Sequence, residues 1–263
     1  MRRLRNLMLC AALLAALVGC GARQADAPTE LVVFAAASLQ ESLSAIGEQY
    51  KTVAPDVTLT FSFDSSGTLK TQIEQGADCD LFLSASPKQM NALREDGLID
   101  EAHCVELLEN KVALVVADGN RANVSSFDGL AAALPAGEVL LALGNGDVPV
   151  GQYAQEILAW YALDEAALAD AGALTYASNV KEVTAQVIAG AADCGVVYAT
   201  DAFSADLPVI DVAREGMCSR VIYPAAVLRG SAHADAACEF LTYLQGTEAA
   251  AAFQSVGFAV VAD

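Results

Sequence analysis

Histidine is almost missing from this chain: His103 and His233 are the two present in 263 residues, and neither stands in a recognisable catalytic constellation. No HExxH, GxSxG, Walker A or GxGxxG pattern occurs, so the usual metalloprotease, hydrolase, nucleotide and dinucleotide signatures are absent. Serine without a neighbouring histidine lacks the base that acyl transfer needs. An enzyme is therefore not expected. Basic residues are also scarce, with 14 Lys+Arg against 33 Asp+Glu and a formal charge of −19. Such a chain has no basic footprint for a nucleic-acid backbone, so no nucleic-acid partner is expected. No Cys spacing is CxxC, which argues against structural zinc. No Pro/Gly-rich linker, internal repeat or low-complexity stretch divides the chain after its first thirty residues.

The N-terminus has a different composition. Arg2, Arg3 and Arg5 precede an apolar run from Leu7 to Val18, the length of a signal h-region and short for a membrane span. The run ends in Leu17-Val18-Gly19-Cys20, which resembles the lipobox of bacterial lipoproteins. That resemblance implies a signal peptide over residues 1–19, a lipidated Cys20, and a lipid-anchored tether over 20–29. The expected location is extracytoplasmic, held to the cell membrane by the acyl group. Beyond Cys10 and Cys20, an odd number of cysteines remains: Cys79, Cys104, Cys194, Cys218 and Cys238. One or two disulfides and small buried thiols are both open readings.

From residue 30 onward the pattern alternates strand and helix. Leu31–Ala37 is a continuous apolar run suited to a buried strand, and Leu39, Leu43, Ile46 and Tyr50 then share a helical face. Val57, Leu59, Phe61 and Phe63 alternate with polar residues and predict a half-buried strand. Further strands are expected at 80–85, 110–117, 138–143, 194–199, 208–212 and 221–228, with helices between them and two at the C-terminal end. Repeated strand–helix units predict an α/β protein whose mostly parallel sheets carry helices on their faces. If there are two lobes, strands join them. The expected crossings lie near Lys111 and Leu228, which gives one lobe from 30–111 plus 229–263 and a second from 112–228.

Several of these strands run into a helix through a small polar loop. Ser38 follows the first. Ser65-Ser66-Gly67-Thr68 follows the second. A loop from Gly144 to Gly151 and the pair Ser178-Asn179 do the same later. Ligands of open α/β sheets bind at the carboxyl ends of strands. A helix N-terminus there offers unsatisfied N–H groups and about half a unit of positive charge. Several such ends aimed at one point would hold an anion with no Lys or Arg, even in an acidic chain. Equally, Ser38, Ser66, Thr68 and Ser178 are ordinary N-cap residues, and a Tyr at the end of an apolar strand is ordinarily core.

Six blocks then occur in order: Phe34-Ala35-Ala36-Ala37-Ser38-Leu39, Phe63-Asp64-Ser65-Ser66-Gly67-Thr68-Leu69, Asp80-Leu81-Phe82-Leu83-Ser84-Ala85, Val148-Pro149-Val150-Gly151-Gln152-Tyr153-Ala154, Gly195-Val196-Val197-Tyr198 and Tyr223-Pro224. Together they resemble the molybdate-binding proteins of ATP-driven (ABC) molybdate transporters, over essentially the whole chain from Glu30. The resemblance implies a two-lobed, periplasmic-binding-protein-like fold of type II with the ligand in the interlobe cleft. It implies an anion held through its oxygens, with no direct metal ligand and no cofactor. By motif, Ser38 and Ser66 would contribute hydroxyls, Val150 and Val180 backbone N–H groups, and Tyr198 a hydroxyl. Molybdate and tungstate are the expected ligands, with a sulfate- or phosphate-type oxyanion as the alternative. The expected partners are the membrane permease subunits of such a transporter, and the expected state is a monomer. Asp64 departs from the pattern, because many members carry a small neutral residue there.

Overall fold

The computed structural model describes residues 28–261 apart from Asp118 and Arg121. The expected signal peptide, the lipidation site Cys20 and the tether up to residue 27 lie outside the described residues. Thr29, the last residue assigned to the tether, is already the first residue of a strand.

The first lobe is built on a six-stranded sheet. Its early elements are β1 (Thr29–Ala36), α1 (Gln40–Val53), β2 (Val57–Asp64), α2 (Ser66–Glu74), β3 (Leu81–Leu83), α3 (Pro87–Glu95) and β4 (Ile99–Asn110). The apolar run of β1 sits inside the sheet, with Leu31, Val33 and Ala35 fully buried. Leu43, Ile46 and Tyr50 of α1 are buried on one face, as their spacing predicts. Burying such a side chain contributes about 1.5–3 kcal/mol. β2 lies at the sheet edge, which accounts for its half-buried alternation.

The second lobe is built on a five-stranded sheet. It comprises β5 (Val112–Val116), α4 (Phe127–Ala133), β6 (Leu141–Gly144), α5 (Pro149–Trp160), α6 (Glu165–Asp170), β7 (Leu174–Ala177), α7 (Val180–Ile188), β8 (Cys194–Tyr198), α8 (Ala199–Ser204) and β9 (Val209–Val212). Every residue of β5 and β8 is buried. The chain then returns as β10 (Val221–Leu228), followed by α9 (Ala234–Leu244), α10 (Thr247–Ser255) and β11 (Ala259–Val260). The strand orders are β11-β4-β10-β3-β1-β2 and β7-β6-β8-β5-β9.

Two expectations are corrected here. The outward crossing is at Lys111, between β4 and β5, but the return lies before Val221 and not near Leu228. β10 sits between β3 and β4, so residues 221–228 belong to the first lobe. An apolar run buried along its whole length carries no sign of which sheet it joins. The sheets are also mixed and not mostly parallel. β10 is antiparallel to both β3 and β4, and β5 is antiparallel to both β8 and β9. Strands that enter from the other lobe arrive from the opposite end, so they run against the βα-wound strands beside them. All five cysteines from Cys79 to Cys238 are free thiols. Burial pushes the Cys79 and Cys194 thiols up to about 12, which leaves them unreactive.

Candidate functional site

Parallel register brings the loops level with one another. β1 and β2 end opposite each other, with Ala36 paired to Asp64, and Ala35 is paired to Leu83 of β3. The segments starting at Ala37, Ser65 and Ser84 therefore leave the sheet side by side. In the second lobe Gly144 of β6 faces Ala177 of β7, and β8 runs parallel on the other side of β6. The loops before α5 and α7, and the end of β8, thus share one edge.

Each loop presents a donor for a local reason. Ser38 lies in a single 3₁₀ turn, Ala37–Leu39, whose N-terminus has no side-chain cap. Its Oγ is 2.9 Å from the Tyr223 hydroxyl. Ser66 is the first residue of α2, and its Oγ accepts from the Ala85 N–H at 2.9 Å. That bond fills an acceptor position on the hydroxyl and leaves its proton to donate elsewhere. The cap of α2 is Ser65 and not Ser66, with Ser65 Oγ accepting from the Thr68 N–H at 3.1 Å. The cap of α7 is Asn179 and not Ser178, with its Oδ1 accepting from the Glu182 N–H at 3.0 Å. Capping by Asn179 leaves the Val180 N–H, one residue into the helix, without a partner among the described residues. α5 has no side-chain cap, and Pro149 occupies its first position, so the Val150 N–H is likewise unsatisfied. The turn before α5 needs Gly151, because a methyl there would overlap the carbonyl oxygens of Gly144 and Asn145.

These residues meet. Ser38, Ser66, Val150, Val180 and Tyr198 line one cavity of about 10 Å³, together with Ala36, Ala37, Asp64, Ser65, Ala85, Val148 and Pro149. The first lobe brings Ser38 and Ser66, and the second brings Val150, Val180 and Tyr198. Among the described residues no Lys or Arg lines this cavity, and the one formal charge there is Asp64. Asp64 Oδ1 accepts from the Ser65 N–H at 2.7 Å, so the carboxylate is folded back on its own backbone. Burial holds the Tyr198 phenol well above its ordinary range, so the group stays a neutral donor. It donates to the Ala85 carbonyl at 3.5 Å, a long bond that a better acceptor would replace.

The lobes touch around the cavity. Gln89 Nε2 donates to Gln152 Oε1 at 3.4 Å. Lys181 of α7 reaches across to Glu41 of α1 at 2.8 Å. A methyl on Gly67 would collide with the Asp147 carbonyl oxygen of the facing lobe, so only glycine permits this approach. Lys181 also lies 3.1 Å from Asp201, in ion-pair range but off the line of a hydrogen bond. Burial lifts the Asp201 carboxyl to about 6, against the opposing pull of Lys181. Nothing local in the sequence marks Lys181, Asn110 or the Tyr223 hydroxyl for the cleft, whereas Gly67 suggests a backbone approaching a ligand, and the backbone that approaches is that of Asp147. The available signal for Tyr223 was a hydroxyl inside the otherwise apolar VIYPAAVL.

Two lobes joined by paired strand crossings, with helix N-termini and hydroxyls converging on a small cleft cavity, define a solute-binding protein. The chain belongs to the bacterial extracellular solute-binding protein family, whose profile matches residues 31–259. It is 35% identical to Bacillus subtilis YvgL, provisionally named an ABC transporter substrate-binding lipoprotein, over 91% of this chain and 92% of that one. It is 34% identical to the molybdate-binding protein ModA of Escherichia coli, over 88% and 89% of the two chains. The solved periplasmic molybdate-binding protein of Azotobacter vinelandii superposes with a TM-score of 0.77 over 88% of this chain and all of that one. At 20% identity, that last likeness speaks to the fold alone.

Proposed function

We propose that this protein binds molybdate in the interlobe cavity and delivers it to the membrane subunits of an ABC transporter for import. The observation that carries the reading is the convergence of five neutral donor groups, from both lobes, on one cavity without a cation. The hydroxyls of Ser38, Ser66 and Tyr198 and the backbone N–H groups of Val150 and Val180 each donate to an oxyanion oxygen. Helix N-termini of α2, α5 and α7 supply the field that a dianion needs. Neutral donors at fixed positions test the size and shape of the anion, whereas a buried cation would reward any anion. Tungstate, with the same charge and a tetrahedral shape, is held in the same way. The relatives' names support the molybdate reading, and the lipoprotein in the name of YvgL supports anchoring through Cys20. The protein acts as a lipid-anchored, extracytoplasmic monomer whose lobes close on the ligand.

One observation favours a second reading. Asp64 in the lining is an acceptor, which a protonated oxyanion such as phosphate would use. Its bond to the Ser65 N–H opposes that use.

Thermal unfolding of residues 21–263 with molybdate, tungstate, sulfate or phosphate at millimolar concentration separates the readings. A ligand that binds the native state alone adds about 4 kcal/mol at a thousandfold excess over its Kd. A rise with molybdate and tungstate and little with the other two is the expected result. A rise with phosphate alone would move the assignment to Asp64 and the second reading. No rise with any anion would remove the oxyanion function.

A further inference from the structure

We propose that Asn110 and Tyr223 form a positioning pair that fixes the direction of the Ser38 proton, making Ser38 a donor to the bound anion. The inference rests on the reading of Ser38 as a ligand group. It assigns a role to two residues outside the cavity lining.

The polarity can be followed atom by atom. Asn110 is the last residue of β4, at the crossing between lobes. Its Oδ1 accepts from the Lys111 N–H at 2.8 Å, which identifies the oxygen and the nitrogen of the amide. Nδ2 therefore carries two protons toward its other neighbours, Thr200 Oγ1 at 2.8 Å and the Tyr223 hydroxyl at 3.3 Å. Asn110 can only donate here, so Tyr223 accepts. The phenol keeps one proton of its own, and the partner in good hydrogen-bond geometry for it among the described residues is Ser38 Oγ at 2.9 Å. Donation to Ser38 completes the chain. Ser38 then has an acceptor position filled, and its own proton is free for a ligand oxygen. Ser66 reaches the same state by a shorter route, through the Ala85 N–H.

The fold builds this pair deliberately into the core. Asn110, Thr200 and Tyr223 are all buried, where an unmatched donor is costly. The register of β10 against β4 shifts between Tyr223 and Pro224, a bulge that accommodates a proline in a central strand. Bulges of this kind re-aim the adjacent side chain, here Tyr223. The Tyr198 and Tyr223 rings pack in an edge-type arrangement, with centroids 5.7 Å apart, so the phenol has little freedom to swing.

A double-mutant cycle read by molybdate affinity tests the pair on the otherwise intact protein. Tyr223→Phe is expected to weaken binding by about threefold to tenfold with Ser38 present. In a Ser38→Ala background the same change is expected to cost nothing further, because its target is gone. Asn110→Asp offers Tyr223 an acceptor in place of a donor and reverses the chain, turning the Ser38 proton away from the anion. Charge repulsion from the new carboxylate is common to both backgrounds. The loss from Asn110→Asp is therefore expected to be larger with Ser38 than with Ser38→Ala. Equal losses in the two backgrounds, or no loss from Tyr223→Phe, would reduce both residues to structural roles and overturn the proposal. If Ser38→Ala alone keeps full affinity, Ser38 is not a ligand group and the proposal falls with it, while molybdate binding by the unsubstituted protein leaves the function of the cavity standing.

Discussion

The two lobes bring different chemistry to the cavity. The first lobe presents side-chain hydroxyls, Ser38, hydrogen-bonded to the Tyr223 hydroxyl, and Ser66, which accepts from the Ala85 N–H. The second lobe presents mainly backbone, the N–H groups at the starts of α5 and α7, with Tyr198 as its one side-chain donor. A hydroxyl is deleted by one substitution. A backbone N–H survives any side chain and is lost only when the turn that aims it is distorted. The first lobe is thus sensitive to chemistry, and the second to geometry.

The largest expected effect breaks the meeting of the two. Gly67→Ala puts a methyl into the Asp147 carbonyl, a clash between backbones that no rotamer relieves. The closed form is expected to lose about 3 kcal/mol relative to the open one, so molybdate affinity falls by about a hundredfold. Small-angle scattering is expected to show no compaction of this variant on adding molybdate. Compaction equal to that of the parent would mean that the lobes do not approach here.

A comparable effect sharpens the contrast through Asp201, buried in the second lobe behind Lys181. Its carboxyl is raised from 3.8 to about 6 by burial. The native state therefore holds this proton more tightly than the unfolded chain does. The contribution is fully present below about pH 4 and is lost as pH rises through about 6, a change of about 3 kcal/mol. Urea unfolding across that window is expected to show the difference between parent and Asp201→Asn drifting by this amount, in favour of the variant at neutral pH. A constant difference would mean that Lys181 fully compensates the buried charge.

The remaining pair tests the division itself. Ser66→Ala is expected to cost about 1–3 kcal/mol of binding, since a ligand oxygen and the Ala85 N–H both lose a partner. Val150→Ala keeps the N–H in place and is expected to change binding by about 0.5 kcal/mol or less, whatever it costs in packing. Calorimetric titration with molybdate measures both. Equal losses would erase the distinction between hydroxyl and backbone donors.

Much of this arrangement was legible in the chain. The runs that became β1, β5 and β8 are buried along most of their length, and continuous hydrophobicity reads well there. The five candidate residues stand at the ends of strand-like runs or in the loops and helix starts that follow them, and the structure brings them around one cavity. What stayed hidden has physical causes. β4 carries acidic and exposed residues along IDEAHCVELLEN, because it lies toward one side of its sheet, and no clean alternation marks it. The helices α6 and α8 have six residues each, too few to show a periodic face. The sheet membership of β10 depends on long-range pairing and leaves no local trace. Gly67 signals a close backbone approach, but only the fold shows that the approaching backbone is Asp147 of the other lobe. Tyr223 and Asn110 lie far apart in sequence, so nothing local joined them to Ser38.

The most direct test of the account is a crystal structure with molybdate, using the anomalous scattering of molybdenum to locate the ion. The account predicts a single metal peak between the lobes, its oxygens within hydrogen-bonding distance of the Ser38, Ser66 and Tyr198 hydroxyls and the Val150 and Val180 N–H groups, with no cation beside it. A peak outside this cavity, or an ion held there by a lysine or arginine, would contradict it.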